Sequence, residues 1–293
     1  MNNKDKQQIV RALQEYCNKM GSQNKAAIAL GVSSALISRM LNGDWRLIKD
    51  EMWRKISAGC GYSSSEWKIV ETRDFQTLML LYEDAQLNGN ALAVVGRAGS
   101  GKTMAARHYC KGNKTAFHLC CNEYWNKKMF MQELLSTMGC DWSGYTTADM
   151  ISAIIKKIKS LNKPLLIMDE ADKLNDNVLY FFITIYNALE DDLGTLRCGL
   201  ILQATNYLEK RINRGVKLNR KGYNEVYSRI CRRFVTLGGV NERDIQMVCQ
   251  ANGIIRSEEV KEVIVDSEKD LRRVRRKIHA IRKINDTKNE NDG

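Results

Sequence analysis

A glycine-rich segment in the first half of the chain carries the residues best suited to chemistry. Residues 96–103 read GRAGSGKT and lie between a short apolar run and a helical pattern. Glycines let backbone N–H groups converge on phosphate oxygens, and a helix that begins there adds its positive end. Lys102 would neutralise the β- and γ-phosphates, and the Thr103 hydroxyl would bind Mg²⁺. The pattern predicts a site for ATP and Mg²⁺ formed by Gly96, Arg97, Ala98, Gly99, Ser100, Gly101, Lys102, Thr103 and Met104.

Two acids at the end of a later apolar run would form the other half of this site. Residues 165–172 read LLIMDEAD, a buried-strand pattern that ends in carboxylates. Asp169 would hold Mg²⁺, directly or through water, and Glu170 would activate the attacking water as a general base. The alternative is that the acids only cap a helix, a role that suits Asp172. The glycine-rich loop upstream favours the catalytic interpretation.

A polar side chain is also expected where the apolar run 199–205 ends. Such a group would lie between the two acids and the γ-phosphate and would sense that phosphate. Asn206 is the first choice for this role and Thr205 is the second, while an ordinary loop start is the alternative.

Arginines near the end of the chain could complete the site. In ring-forming ATPases, an arginine on a late helix of the nucleotide domain reaches the γ-phosphate of the neighbouring subunit and neutralises transition-state charge. Arg229, in NEVYSRICRRF, is placed in this way, and Arg232 and Arg233 are its rivals. Arg272 opens the last basic helix and could reach back onto the nucleotide, unless that helix simply presents a solvated face.

Residues 23–43, near the N-terminus, have the pattern of a helix-turn-helix. Ala27 is small enough for a second helix to cross the first, Gly31 tolerates a left-handed turn, and Ile37 supplies a branched apolar anchor. The segment resembles the helix-turn-helix of phage repressors, whose second helix enters the major groove of DNA. The outward residues of that helix would contact DNA: Ser33, Ser34, Ala35, Ser38 and Arg39. The alternative is a small helical domain used for protein contacts.

Four apolar runs, separated by helical patterns, would position the nucleotide site. They occupy residues 91–96, 115–121, 165–170 and 199–205, and residues 67–88 before them are predicted to be helical. Alternating strands and helices indicate an α/β fold with a parallel P-loop sheet. The expected divisions are a helix-turn-helix domain at 1–60, a linker at 61–75, a nucleotide-binding domain at 76–240, a small helical lid domain at 241–285 and a disordered tail at 286–293.

Composition and charge narrow the class of protein. The chain has 293 residues, of which 46 are Lys or Arg and 34 are Asp or Glu, and the net charge of +12 favours DNA or RNA as a partner. No apolar stretch reaches about 18 residues, which excludes a membrane-spanning helix. The polar N-terminus argues against secretion. Nine cysteines, an odd number without CxxC spacing, indicate reduced thiols and a cytoplasmic protein.

Taken together, the loop, the acids, the polar strand end, the late arginine and the small helical domain resemble an AAA+ ATPase. With a helix-turn-helix in front, the chain is similar to the phage Mu B-type transposition family over about residues 5–285, in the phrases GRAGSGKTMAARHY, LLIMDEADKL, GLIL and YSRICRR. This resemblance implies an ATPase that forms a helical filament or ring on double-stranded DNA, selects target DNA, and recruits and stimulates a DDE transposase. The transposase would in turn trigger hydrolysis. Two departures stand out: Arg97 and Ala98 differ from the family's pair, and the Thr205–Asn206 strand end leaves the sensor open.

Two basic segments compete for DNA in such an oligomer. One is EKRINRGVKLNRKG, residues 209–222, with Arg214 and Lys217, and the other is NEYWNKK, with Lys127 and Lys128. Lysines and arginines there would bind phosphates without reading sequence. Trp125 in the second segment could equally belong to the core.

Other functions would use the same motifs. A helicase loader or replication-initiation ATPase would use the same nucleotide chemistry. A helix-turn-helix transcription regulator, in which the nucleotide acts only as a switch, would need a specific palindromic operator. A DEAD-box RNA helicase is disfavoured because no second helicase lobe follows the Asp-Glu-Ala-Asp string.

Overall fold

The computed structural model divides the chain into two compact units, Met1–Lys68 and Ile69–Gly293. Each unit has a hydrophobic core of its own. The residues that the structure describes are 3–60, 67–192, 194 and 196–291.

Four helices form the first unit. They are α1 (Asn3–Met20), α2 (Gln23–Leu30), α3 (Ser34–Leu41) and α4 (Asp50–Gly59). Gly31 ends α2 with a φ of 61°, and Ile37 on α3 is fully buried. Ala27 is 3% exposed, so α2 and α3 pack closely where the sequence predicts a crossing. The predicted helix-turn-helix geometry is confirmed.

A five-stranded parallel sheet, in the order β2-β3-β4-β1-β5, is the centre of the second unit. Its strands are β1 (Ala91–Val95), β2 (Ala116–Cys120), β3 (Leu165–Asp169), β4 (Gly199–Ala204) and β5 (Phe234–Thr236). Because all pairs are parallel, the carboxyl ends of the strands meet at one edge of the sheet, where ligands bind in open α/β folds.

Helices connect the strands and cover both faces of the sheet. They are α5 (Arg73–Asn88), α6 (Lys102–Gly112), α7 (Lys127–Thr137), α8 (Thr147–Lys159), α9 (Asp176–Leu179), α10 (Phe181–Leu189), α11 (Asn206–Lys217) and α12 (Tyr223–Arg229). On one face, Val94 and Ile167 of the sheet join one buried cluster with Leu78 of α5. After β5 come α13 (Glu242–Ala251), α14 (Ser257–Ser267) and α15 (Leu271–Asn291).

The predicted α/β fold is confirmed, and the four predicted strands match the observed ones to within one residue at each end. The fifth strand, Phe234–Thr236, was not predicted. It has only three residues and carries no alternating or continuous apolar signal of useful length.

The stretch between the two units differs from the prediction. Helix α5 begins at Arg73 rather than at residue 67, because the Thr72 hydroxyl caps the helix by accepting from the Phe75 N–H at 3.3 Å. The last three residues of the linker predicted at 61–75 therefore belong to α5. Residues 61–66 of that linker lie outside the described residues.

The expectation of a disordered tail at 286–293 is corrected. Helix α15 continues to Asn291, and residues 292 and 293 lie outside the described part. Adding a residue to an existing helix is far easier than starting one, so a polar continuation needs no apolar face of its own.

Two further predictions, on membrane-spanning helices and on the cysteines, concern the residues that the structure describes. None of their helices is long and apolar enough to cross a membrane. All nine cysteines are free thiols within the described part, as an odd count without CxxC spacing predicts.

Candidate nucleotide-binding site

The loop between β1 and α6 has the backbone conformation that phosphate binding requires. Gly99 has a φ of 77° and Gly101 a φ of 93°, both in the left-handed region that side chains disfavour. Helix α6 begins directly after, at Lys102, so its free N–H groups face the loop. A concave run of N–H groups at a helix N-terminus is an anion site. The loop therefore fits the phosphates of a nucleotide.

Lys102 holds a positive charge inside this loop. Its side chain is buried, and Nζ donates to the carbonyl oxygens of Gly96 at 2.8 Å and Arg97 at 3.0 Å, and to Ser100 Oγ at 3.3 Å. Burial lowers the pKa of Lys102, while the nearby Asp169 and Asp172 carboxylates act to raise it. The ammonium is thus bound by three neutral oxygens, and two acids lie nearby. A phosphate oxygen could take the place of the neutral oxygens.

The Asp169 carboxylate lies at the end of β3, only 1% exposed. Its Oδ2 is 3.1 Å from His118 Nε2, and its Oδ1 accepts from the Glu170 N–H at 2.9 Å. Burial acts to raise the pKa of Asp169, but hydrogen bonds from His118 and Thr103, together with the nearby Gln203 amide, outweigh it and hold this pKa below its usual value. A charged carboxylate beside the Thr103 hydroxyl supplies the hard oxygen donors that Mg²⁺ prefers. These residues fit a magnesium ion.

Glu170, the candidate general base, has an unusual backbone and is paired. Its φ of 55° turns the chain sharply after β3. Lys173 Nζ lies 2.5 Å from Glu170 Oε2, and Cys120 Sγ lies 3.7 Å from the same oxygen. The carboxylate is therefore bound within its own chain rather than free to accept a proton.

The end of β4 presents three polar side chains in different environments. Asn206, the first-choice sensor, is exposed and starts α11. The Thr205 hydroxyl caps that helix and also donates to Asp172 Oδ2 at 2.5 Å. Gln203 is fully buried and accepts from the Tyr82 hydroxyl at 2.5 Å. The structure thus ties the second choice, Thr205, to the acidic loop, and the sensor assignment stays a prediction.

Sequence reasoning gave no specific role to His118 and Gln203, both of which act on Asp169. A signal was present, because each is a polar residue inside an apolar strand run, FHLCC and LILQAT. A buried polar side chain needs a hydrogen-bond partner, so such a residue indicates another polar group opposite it.

The last helix packs against the loop. The Leu271 N–H donates to the Gly99 carbonyl at 3.0 Å, and the Asp270 carboxylate lies against Gly99 so closely that a Cβ there would be 2.2 Å from Asp270 Oδ1. The positive charge of Arg272 is near enough to contribute to lowering the pKa of Lys102, after burial as the main cause. Arg272 is thus placed near the phosphate loop, as its predicted role requires.

Arg229 lies elsewhere, at the C-terminal end of α12. Its Nε and Nη2 donate to Asn187 Oδ1 at 3.2 and 2.9 Å, and its guanidinium lies 5.1 Å from the centre of the Tyr186 ring. Both partners belong to α10. The rivals Arg232 and Arg233 are exposed in the turn before β5.

The predicted DNA-binding residues of the second unit lie in two places. Lys127 and Lys128 are exposed at the start of α7, and Arg214 and Lys217 are exposed on α11. Trp125 is 4% exposed and packs edge-on against Phe130, with ring centres 6.3 Å apart, so it belongs to the core.

In the first unit, the predicted DNA-binding residues differ in what their side chains do. The Ser33 hydroxyl accepts from the Leu36 N–H at 3.2 Å and caps α3, and the Ser38 hydroxyl accepts from Asn42 Nδ2 at 3.4 Å. Ser34 and Arg39 are exposed on α3.

Comparison with known proteins gives a family match for part of the chain. Residues 86–212 match the family described as AAA domain. No curated protein matches the chain.

Solved structures resemble the fold at low sequence identity. Cdc6p from Pyrobaculum aerophilum aligns with a TM-score of 0.51 at 18% identity, over 74% of this chain and 62% of that one. The ORC2 protein of Aeropyrum pernix, as an ADPNP-ADP complex, aligns at 0.50 and 18%, over 74% and 63%. The Aeropyrum pernix ORC1 protein in complex with DNA aligns at 0.50 and 13%, over 72% and 59%. The chain therefore spans less than two thirds of these structures. Its α/β unit shares the fold of these structures, and residues 86–212 within it match the AAA domain family.

Proposed function

We propose that the protein is an ATP hydrolase that assembles on double-stranded DNA. The observation that carries this proposal is the meeting of Lys102, Thr103 and Asp169 at the carboxyl edge of the sheet, below a loop with two left-handed glycines. In this arrangement the loop N–H groups and Lys102 bind the β- and γ-phosphates of ATP.

The residues of the site divide the chemistry among them. Thr103 and Asp169 would hold Mg²⁺, which neutralises charge on the phosphate oxygens. Glu170 would orient the attacking water and accept a proton from it, once the Lys173 ammonium no longer binds the Glu170 carboxylate. Arg272 would contact the phosphates from the lid, and Asn206 or Thr205 would sense the γ-phosphate.

A neighbouring copy would supply the last positive charge. Arg229 lies at the end of α12 and donates hydrogen bonds to Asn187 of α10. We propose that it extends from there to the γ-phosphate bound by the next subunit. The protein would then be active as a homo-oligomer, either a ring or a helical filament. Such a split site makes hydrolysis depend on assembly.

Double-stranded DNA is the proposed partner. The net charge of +12, the exposed Lys127, Lys128, Arg214 and Lys217, and the exposed α3 residues of the helix-turn-helix support this. Phosphate contacts of this kind would be largely independent of sequence and strongly dependent on salt. The nine free thiols support a cytoplasmic protein.

The sequence resemblance supports a role in transposition, in which the DNA-bound ATPase marks target DNA and recruits and stimulates a transposase. A replication-initiation ATPase is the second candidate, because the fold also resembles Cdc6p and an ORC1 protein in complex with DNA. A pull-down on DNA that retains transposase favours the first role, and one that retains replicative helicase favours the second.

Electron microscopy of the protein with an ATP analogue, with and without random duplex DNA, tests the proposal as a whole. We expect oligomers that coat or encircle the duplex and that are absent with Lys102→Ala. A wild-type chain that stays monomeric and ignores random DNA while saturated with nucleotide would contradict it.

A further inference from the structure

A buried amide lies directly beside the carboxylate of the proposed magnesium site. Asp169 and Gln203 are paired residues on the neighbouring parallel strands β3 and β4. Side chains of paired residues point to the same face of a sheet. Here that face is covered by α5 and α6, where Ile167 and Ile201, two residues earlier on each strand, are buried. Gln203 itself is 0% exposed.

Only one end of this amide is satisfied. Gln203 Oε1 accepts from the Tyr82 hydroxyl at 2.5 Å. Among the described residues, Gln203 Nε2 has no partner with the geometry of a full hydrogen bond. Leaving a buried N–H donor unpaired costs free energy, and this donor lies next to the group that binds a metal ion.

Tyr82 anchors the oxygen end of this amide. An amide has an oxygen that accepts and a nitrogen that donates, and the two can exchange places by rotation. The Tyr82 hydroxyl could bond either end of the amide, but an amide oxygen turned toward the Asp169 carboxylate would be repelled. The nitrogen therefore faces Asp169, and the Tyr82 hydroxyl donates to Oε1. Tyr82 is itself fully buried and packs edge-on against Tyr109, with ring centres 5.4 Å apart. Its hydroxyl is therefore held in place by the packing of α5 and α6.

We propose that Gln203 is a positioning residue of the magnesium site and that Tyr82 anchors its amide there. This inference rests on the proposed function and adds two residues to it. The Gln203 N–H would donate to the Asp169 carboxylate and hold it in the orientation in which it binds Mg²⁺. Groups that orient a ligand in this way typically change metal affinity or activity by about 10- to 100-fold when they are removed.

The test titrates Mg²⁺ against the binding of a fluorescent ATP analogue to the full chain. Gln203→Met keeps the volume of the side chain and removes both polar atoms. We expect the Mg²⁺ concentration for half-maximal binding to rise about tenfold or more. Affinity for the analogue in EDTA should stay at the wild-type value, because the loop and Lys102 are untouched. Leu202→Met, also fully buried on β4 but packed on the opposite face, is the matched control and should behave like wild type.

Tyr82→Phe supplies an independent test that removes a single hydroxyl. We expect the half-maximal Mg²⁺ concentration to rise about fivefold, as for the loss of one neutral hydrogen bond. In a Gln203→Met background the same change should add nothing, because Tyr82 then has no amide to anchor. A further rise there would show that Tyr82 acts by another route.

The outcomes separate this inference from the proposed function. A wild-type chain whose nucleotide binding does not depend on Mg²⁺ would overturn the proposed function, and this inference with it. This inference alone would be overturned if the wild-type chain binds nucleotide in a Mg²⁺-dependent way and Tyr82→Phe has the same half-maximal Mg²⁺ concentration. The same result in a folded Gln203→Met variant would also overturn it.

Discussion

Lys173 Nζ lies 2.5 Å from Oε2 of Glu170, three residues earlier in the chain. Both side chains are partly exposed, at 43% for Lys173 and 32% for Glu170, so the pair can open without disturbing the core. Glu170 raises the pKa of Lys173 through this hydrogen bond, and the lysine therefore stays charged. A carboxylate oxygen that accepts a hydrogen bond from an ammonium is not free to accept a proton from water. In this structure, therefore, one carboxylate oxygen of the candidate general base Glu170 is bound by Lys173.

Removing this restraint should raise the basal rate of ATP hydrolysis. We expect Lys173→Met to increase phosphate release without DNA by about two- to tenfold, since an exposed ion pair contributes about 0–1 kcal/mol and its loss changes a rate only modestly. Stimulation by DNA should shrink by a similar factor. Lys159→Met, an exposed lysine on α8, is the control. A rate that falls or stays constant would show that the ion pair does not restrain Glu170.

Gly99 is expected to tolerate no side chain, for two separable reasons. Its φ of 77° is left-handed, and a Cβ would lie 2.2 Å from Asp270 Oδ1. Gly139 has a similar φ of 69° and open space around it. Gly139→Ala should therefore lower the free energy of unfolding by about 1–2 kcal/mol from backbone strain alone, and Gly99→Ala by about 2–4 kcal/mol.

Urea denaturation of both variants checks this difference. Adding Asp270→Ala to Gly99→Ala should restore part of the lost stability, although Asp270→Ala alone removes a hydrogen bond to the Arg272 N–H. A double-mutant cycle isolates the contact between residues 99 and 270. Strict additivity of the two single changes would argue against the packing of Asp270 on the loop.

The parts of the site that could be predicted from sequence are those encoded locally. The loop at 96–103, the acids after β3 and the turn at Gly31 each depend on residues within one short segment. Glycines with positive φ occur at the positions where the motif requires them, Gly99 and Gly101. For the same reason, the strand limits follow from the apolar runs.

The parts that could not be predicted depend on which distant residues the fold brings together. Tyr82 and Gln203 are 121 positions apart, and His118 and Asp169 are 51 apart. Sequence shows that each of these residues is polar in an apolar context, but the strand order decides which becomes its partner. The register in which β3 pairs with β4 places Gln203 beside Asp169. No pattern within either strand specifies that register.

Asp176 forms a charged cluster that should make stability depend on pH. Its Oδ1 accepts from Arg211 Nη2 at 2.5 Å and from the Tyr223 hydroxyl at 2.8 Å. Burial acts to raise the pKa of Asp176, but the Arg211 and Tyr223 hydrogen bonds outweigh it and hold this pKa below its usual value. The cluster links the start of α9 to α11 and α12.

The sign of the pH effect follows from the lowered pKa. The stabilisation is present above the ordinary aspartate pKa of about 3.9 and is lost as the pH falls through the lower value of the folded protein. Asp176→Asn should lower the free energy of unfolding at pH 7 by about 1–3 kcal/mol, the range for a hydrogen bond to a charged group in a partly exposed pair. The difference from wild type should narrow below about pH 4.

Urea unfolding at several pH values measures this effect, with Glu123→Gln on an exposed loop as the control. A difference between Asp176→Asn and wild type that stays constant down to pH 2 would mean that the charge of Asp176 contributes nothing.

Two neighbouring serines at the start of α3 should separate stability from DNA binding. Ser33 caps the helix by accepting from the Leu36 N–H, whereas Ser34 is exposed on the helix and points away from the core. Ser33→Ala should cost about 1 kcal/mol, seen as faster hydrogen exchange at the α3 amides. Ser34→Ala should leave that exchange unchanged and weaken binding to duplex DNA. Arg39→Ala should weaken it more and reduce the slope of its salt dependence by about one. If all three variants bind DNA as wild type does, helix α3 is not the surface through which this unit meets DNA.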